Sequence, residues 1–160
     1  ITTRLVGSEM CIRDRDYKLS IYGEGELKEA LVRYAEQLGI SEAVKFHGFS
    51  SEIHKIMAES AIYVSSSDYE GISNSMLEAL AIGIPAVCTD CPVGGARMYI
   101  RDGENGYLIP VGDADVMADR MLALMEDKKL GESFSKESVK IREELTDDRI
   151  FGMWKALLVR

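Results

Sequence analysis

Short apolar runs recur along this chain between stretches of helical periodicity, and that alternation restricts the fold more than any other feature. The runs are YKLSIY at 17–22, VKFH at 44–47, AIYVS at 61–65, PAVCT at 85–89 and GYLI at 106–109. Each is short, rich in β-branched or aromatic residues and bounded by turn formers, so each reads as a strand. Between the first two, Gly23-Glu24-Gly25 turns the chain into a helix with Leu27, Leu31, Tyr34, Ala35 and Leu38 on one face and Gly39 as its stop. Ser51 is expected to cap a short helix carrying Ile53, Ile56 and Met57, and a further helix runs through Met76, Leu77, Leu80 and Ala81 to Gly83. Asp113 caps a helix reaching Glu126, and helical patterns at about 131–145 and 147–158 complete the chain. Strands separated by helices need crossover connections, which are right-handed and yield parallel pairing. The predicted fold class is therefore α/β, a Rossmann-like parallel sheet with helices on both faces.

Composition narrows the function classes. The 160 residues suffice for one domain without a staple, and 27 acidic against 19 basic residues leave a net charge of −8. That sign repels a phosphate backbone, and no Lys/Arg run offsets it, so nucleic acid is not expected as a partner. No apolar run approaches the roughly 18 to 20 residues of a bilayer span, which places the expected location in the cytoplasm. Three cysteines cannot all pair, and Cys88-Thr89-Asp90-Cys91 supplies only half of a tetrahedral zinc site, so reduced thiols and no metal are expected. His47 and His54 lie in no ligand spacing. Residues 1–15, ITTRLVGSEMCIRDR, follow neither period and resemble translated adapter sequence. They are expected to be non-native, Cys11 included, leaving 16–160 as the domain.

In parallel sheets of this kind ligands bind beyond the carboxyl ends of the strands, so the informative loops are those after each strand. One stands out, SSSDYEGISNSMLEALAIG, where Glu70 and Glu78 are eight residues apart. On one continuous helix they would stand about 80° apart and roughly 12 Å along the axis, too far to touch one atom. The reading preferred is Glu70 in the loop, Gly71 giving a ligand close access to backbone, and Glu78 about one turn inside the helix. Two such carboxylates can hold different parts of a long ligand, each accepting from vicinal hydroxyls, with phosphate on the amide-rich helix start between them. The alternative is plain: Ser75-Met76-Leu77-Glu78 matches a capping box, which would make Glu78 a cap.

The EGISNSMLEALAIGIPAV stretch, the Glu-x7-Glu spacing, CPVGGAR at 91–97 and IRDGENGYLIPVGD at 100–113 together resemble the carboxyl-terminal half of a retaining GT-B glycosyltransferase of family 4. The resemblance covers 17–158 and implies one half of a GT-B fold. By it, Glu70 is the catalytic acid at the donor sugar, and Gly71, Ile72, Ser73 and Asn74 form the loop that meets sugar and diphosphate. Glu78 is implied to be the ribose-binding acid. Gly48 and Phe49 approach the nucleobase, and Gly23 with Gly25 form the glycine turn near the donor. The implied reaction is transfer from a nucleotide sugar, a UDP-sugar, to a hydroxyl acceptor on a sugar or lipid-linked substrate in polysaccharide or glycolipid assembly, without a cofactor or metal. Departures are visible: Ile72-Ser73 replaces a Phe-Gly, Met98 beside Arg97 replaces an acid, and no Arg/Lys diphosphate clamp occurs at 16–25. That clamp and the amino-terminal Rossmann-like domain that would carry the acceptor are expected to be missing, and the piece alone is expected not to turn over. In the full-length protein, docking at the inner membrane face is possible through that missing half. A non-catalytic nucleotide-sugar-binding module and a GT-B nucleotide-sugar epimerase are the competing readings.

Elsewhere the residues read as structural. Met117, Met121 and Met125 recur every four residues and suit a core, as does Trp154, although by the same resemblance its helix is the tail that crosses to the missing domain. Asp102 to Gly106 reads as a turn.

Overall fold

The computed structural model describes residues 17–158. The reading of 1–15, Cys11 included, lies outside them. The chain divides into two compact units, with the boundary along the sequence between Ile53 and His54.

In the smaller unit, β1 (Leu19–Ile21), α1 (Lys28–Gln37) and β2 (Val44–Phe46) form one strand-helix-strand crossover. The strands are parallel, with Leu19 opposite Val44 and Ile21 opposite Phe46. Leu19 N donates to Ala43 O at 2.8 Å, and His47 N donates to Ile21 O at 2.8 Å. Gly39 ends α1 with φ +69°, as its place after the last periodic residue predicts.

The larger unit begins in α2 (Ile53–Ala58) and continues through β3 (Tyr63–Ser65), α3 (Asn74–Ile82), β4 (Ala86–Thr89) and β5 (Gly106–Ile109). Four helices follow: α4 (Ala114–Glu126), α5 (Lys128–Ser138), α6 (Ile141–Glu144) and α7 (Asp147–Leu158). Its parallel sheet has the order β3-β4-β5. β4 is central and buried throughout, which is why it reads as an unbroken apolar run. Its side chains alternate between two cores. Ala86 and Cys88 pack with Met76 and Leu80 of α3 and Ile141 of α6, whereas Val87 packs with Tyr107 and Ile109 of β5, Leu124 of α4 and Phe134 of α5. Helices therefore cover both faces of this sheet.

Several details depart from the sequence reading. The strands pair in two sheets rather than one, because an apolar run specifies strand formation but not which neighbour completes the ladder. Ser50 rather than Ser51 bonds the entry to α2, its Oγ accepting from Glu52 N at 3.2 Å. The single helix expected over 131–145 is two. α5 starts earlier because Asp127 caps it, accepting from Lys129 N at 2.9 Å and Leu130 N at 3.1 Å. It stops at Ser138, whose buried hydroxyl donates to Asn105 O at 2.9 Å. Trp154 does not join a core: it is 61% exposed, and Phe151 and Leu157 on the same helix are exposed with it. Met117 and Met121 do pack on the β5 side.

Candidate functional site

The loop after β3 is stitched to the loop after β4. Glu70 N donates to Pro92 O at 2.8 Å and Val93 N donates to Glu70 O at 3.1 Å, so Glu70 sits in a one-residue parallel bridge rather than in free loop. Its carboxylate is half-buried and accepts from Ser67 Oγ at 2.8 Å. Ser67 is itself fixed from β4, since Thr89 Oγ1 donates to Ser67 O at 2.5 Å. Gly95 provides the tightest packing: a Cβ there would lie 1.9 Å from Gly71 O, so only glycine lets the two loops meet. At Gly71 a Cβ would meet nothing within 4 Å, so its lack of a side chain leaves open space beside Glu70. Ser65, Glu70, Gly71, Ser73, Cys88 and Thr89 line a small pocket at this place.

α3 begins directly beyond it. Ser73 is the N-cap residue by backbone conformation, with φ −77° and ψ 120°, but its side chain does not cap. Its Oγ lies 3.1 Å from Ser75 Oγ, which in turn bonds Tyr63 OH at 2.8 Å. The first intrahelical bond runs from Leu77 N to Ser73 O at 3.1 Å, and the amides of Asn74, Ser75 and Met76 precede it. A capping box between Ser75 and Glu78 is not formed. Glu78 stands in the second turn of α3, with Met76, Ala79 and Leu80 buried on the core side, and its Oε2 lies 3.2 Å from His54 Nε2 of α2. Ile72 is exposed in the loop ahead of the helix. Glu70, Gly71, Ser73, Asn74 and Glu78 are thus contiguous along the carboxyl end of β3 and the opening of α3.

The other expected site residues belong to the smaller unit. Gly23 and Gly25 follow β1, Gly23 with φ +125°, while Gly48 and the 88% exposed Phe49 follow β2. Tyr22 and His47 stack there with ring centroids 4.4 Å apart.

Sequence reasoning missed the side chains that hold the site. Ser67, Thr89 and Gly95 are ordinary loop and strand residues by composition, and His54 lies 24 positions from its partner. Arg97 forms a two-pronged pair with Asp90, Nε to Oδ1 at 2.7 Å and Nη2 to Oδ2 at 2.6 Å, which raises the guanidinium pKa further above its ordinary value. Burial, with the charge of Glu70 adding to it, pushes the Cys88 thiol up to about 12, so it is a neutral core group. Among the described residues no three His, Cys, Asp or Glu side chains gather as a metal ion would need, and no helix is long and apolar enough to cross a membrane.

The family described as glycosyl transferases group 1 matches residues 8–140. This chain belongs to that family. Among its relatives, a glycosyl transferase of Campylobacter jejuni, N-acetylgalactosamine-N,N'-diacetylbacillosaminyl-diphospho-undecaprenol 4-alpha-N-acetylgalactosaminyltransferase, is 36% identical over 132 residues, covering 82% of this chain and 36% of that protein. The poly(ribitol-phosphate) alpha-N-acetylglucosaminyltransferase of Staphylococcus aureus is 32% identical over 143 residues, covering 89% and 29%. The crystal structure of an S. aureus TarM variant in complex with Fondaparinux, alpha-GlcNAc-glycerol and UDP superposes with a TM-score of 0.84 at 30% identity, covering 94% of this chain and 31% of that one. This glycosyl transferases group 1 chain spans about a third of the length of the curated relatives it matches. Its α/β fold of parallel sheets and helices matches GT-B glycosyltransferase structures.

Proposed function

We propose that the chain is the donor-binding, carboxyl-terminal half of a retaining GT-B glycosyltransferase of family 4. It takes a UDP-sugar and passes the sugar to a hydroxyl of a saccharide or lipid-linked acceptor held by an amino-terminal Rossmann-like domain. The observation that carries this reading is the bridge at Glu70: it fixes a half-exposed carboxylate beside the uncapped start of α3, one turn ahead of Glu78. In this arrangement Glu70 meets the hydroxyls of the donor sugar, and the amides at 71–74 receive the diphosphate with the positive end of the helix dipole. Glu78 accepts from the two ribose hydroxyls. As the bond from the anomeric carbon to the diphosphate breaks, the acceptor oxygen bonds on the same face and its proton passes to the departing phosphate, whose remaining charge the amides at the start of α3 offset. By family resemblance Gly48 and Phe49 of the smaller unit approach the nucleobase, and Gly23 with Gly25 form the glycine turn near the donor. No resident metal is invoked, and the work is placed on the cytoplasmic side.

Calorimetry tests the assignment of both acids. UDP-N-acetylglucosamine is the first donor to try, since the S. aureus relative is named for moving that sugar. Glu78→Ala is expected to weaken UDP binding by about 1.5 to 3 kcal/mol, roughly ten- to a hundredfold. Glu70→Gln is expected to spare UDP and weaken only the sugar-bearing donor. Equal losses for both ligands would show that Glu70 has been placed at the wrong end. Addition of EDTA is expected to leave UDP affinity unchanged.

A further inference from the structure

The carboxylate assigned to ribose has a partner from another element. His54, the second residue of α2, brings Nε2 to 3.2 Å from Oε2 of Glu78 on α3. It is the one side-chain partner of Glu78 among the described residues. The contact is unlike two other close pairs of the larger unit. Lys140 with Glu137 and Arg101 with Glu104 join residues three apart, so helix or turn geometry brings them together by itself. The pair of His54 and Glu78 depends on two helices being placed correctly around β3. The two side chains are 66% and 42% exposed, so the contact contributes little to stability.

Its value lies in orientation. A glutamate side chain has three rotatable bonds, and fixing them on binding costs affinity. The carboxylate offers about four lone-pair positions, of which a vicinal diol uses two. The imidazole 3.2 Å from Oε2 occupies one side of the carboxylate and limits its rotation, leaving Oε1 open to the diol. We infer that His54 is a positioning residue that pre-sets the Glu78 carboxylate for the ribose hydroxyls of the nucleotide donor. This rests on the reading of Glu78 as the ribose acid.

The test is calorimetry on the purified chain with UDP and with 2′,3′-dideoxy-UDP, which lacks both hydroxyls. His54→Ala is expected to lower UDP affinity about three- to tenfold and to leave the dideoxy nucleotide unchanged. His54→Gln, which keeps a donor at a similar reach, is expected to restore UDP affinity to within about twofold. In a Glu78→Ala background, His54→Ala should add nothing further. The inference is overturned if His54→Ala leaves UDP affinity unchanged or raises it while Glu78→Ala lowers it. An equal loss for both nucleotides also overturns it, because the histidine would then be supporting the pocket generally. If Glu78→Ala itself keeps full UDP affinity, the assignment of the ribose acid has failed first, and that result is visible without any His54 variant.

Discussion

The surroundings of the two carboxylates differ in kind. Glu70 is placed by tertiary contacts: a backbone bridge to the loop after β4, a serine anchored from Thr89, and the bare backbone of Gly95 against Gly71. Glu78 is placed by the regular ladder of α3 and trimmed by one exposed histidine. The loop acid therefore depends on residues about twenty positions downstream, while the helix acid depends on its own turn. Substitutions near β4 should reach the sugar end of the site and leave the ribose end alone.

The largest break in that contrast is expected from Gly95→Ala. The added methyl cannot coexist with Gly71 O, and pushing the loops apart should cost about 2 to 4 kcal/mol in urea denaturation. It should also weaken a UDP-sugar far more than UDP. Thr89→Val keeps shape but removes the donor to Ser67 O at a part-buried place, for an expected loss of about 1 to 2 kcal/mol with the same skew in ligand binding. Equal loss of UDP and UDP-sugar in either variant would erase the distinction between the two ends.

The thiol beneath Glu70 sharpens the comparison through pH. In the folded chain Cys88 holds its proton up to about 12, against an ordinary 9.0, so the unfolded chain ionises first and stability falls as pH rises from 9 towards 12. Cys88→Ala should remove about 1 kcal/mol of that fall at pH 10, measured as a shallower decline of the denaturation midpoint with pH. The smallest effect is expected from Ser67→Ala, which frees the Glu70 carboxylate. It should cost about 1 kcal/mol in UDP-sugar binding and nothing in UDP binding.

Much of the fold was legible because strand and helix signals are local. The run at 106–109 is a strand over the same residues, and Asp113 caps α4 as read, its Oδ1 accepting from Val116 N at 3.0 Å. The placement of the two glutamates was legible too, Glu70 in the loop and Glu78 about one turn inside the helix, as the preferred reading had it. What stayed hidden was long-range. Nothing near Ser67 announces Thr89, nothing near Gly71 announces Gly95, and nothing at His54 points to Glu78, because such contacts exist only once the sheet has assembled. Trp154 could be read as core or as part of a tail left uncovered here, because an apolar helix face shows that something is to be covered, not that this part of the chain covers it.

Asp127 closes α4 with its backbone and opens α5 with its carboxylate, so the two helices share a joint one residue wide. Such a joint has no slack to absorb an inserted residue. A graft or circular permutation made there would uncap α5 and swing Phe134 out of its seat against Tyr107, whereas the exposed turn at Gly112 offers a gentler place to cut.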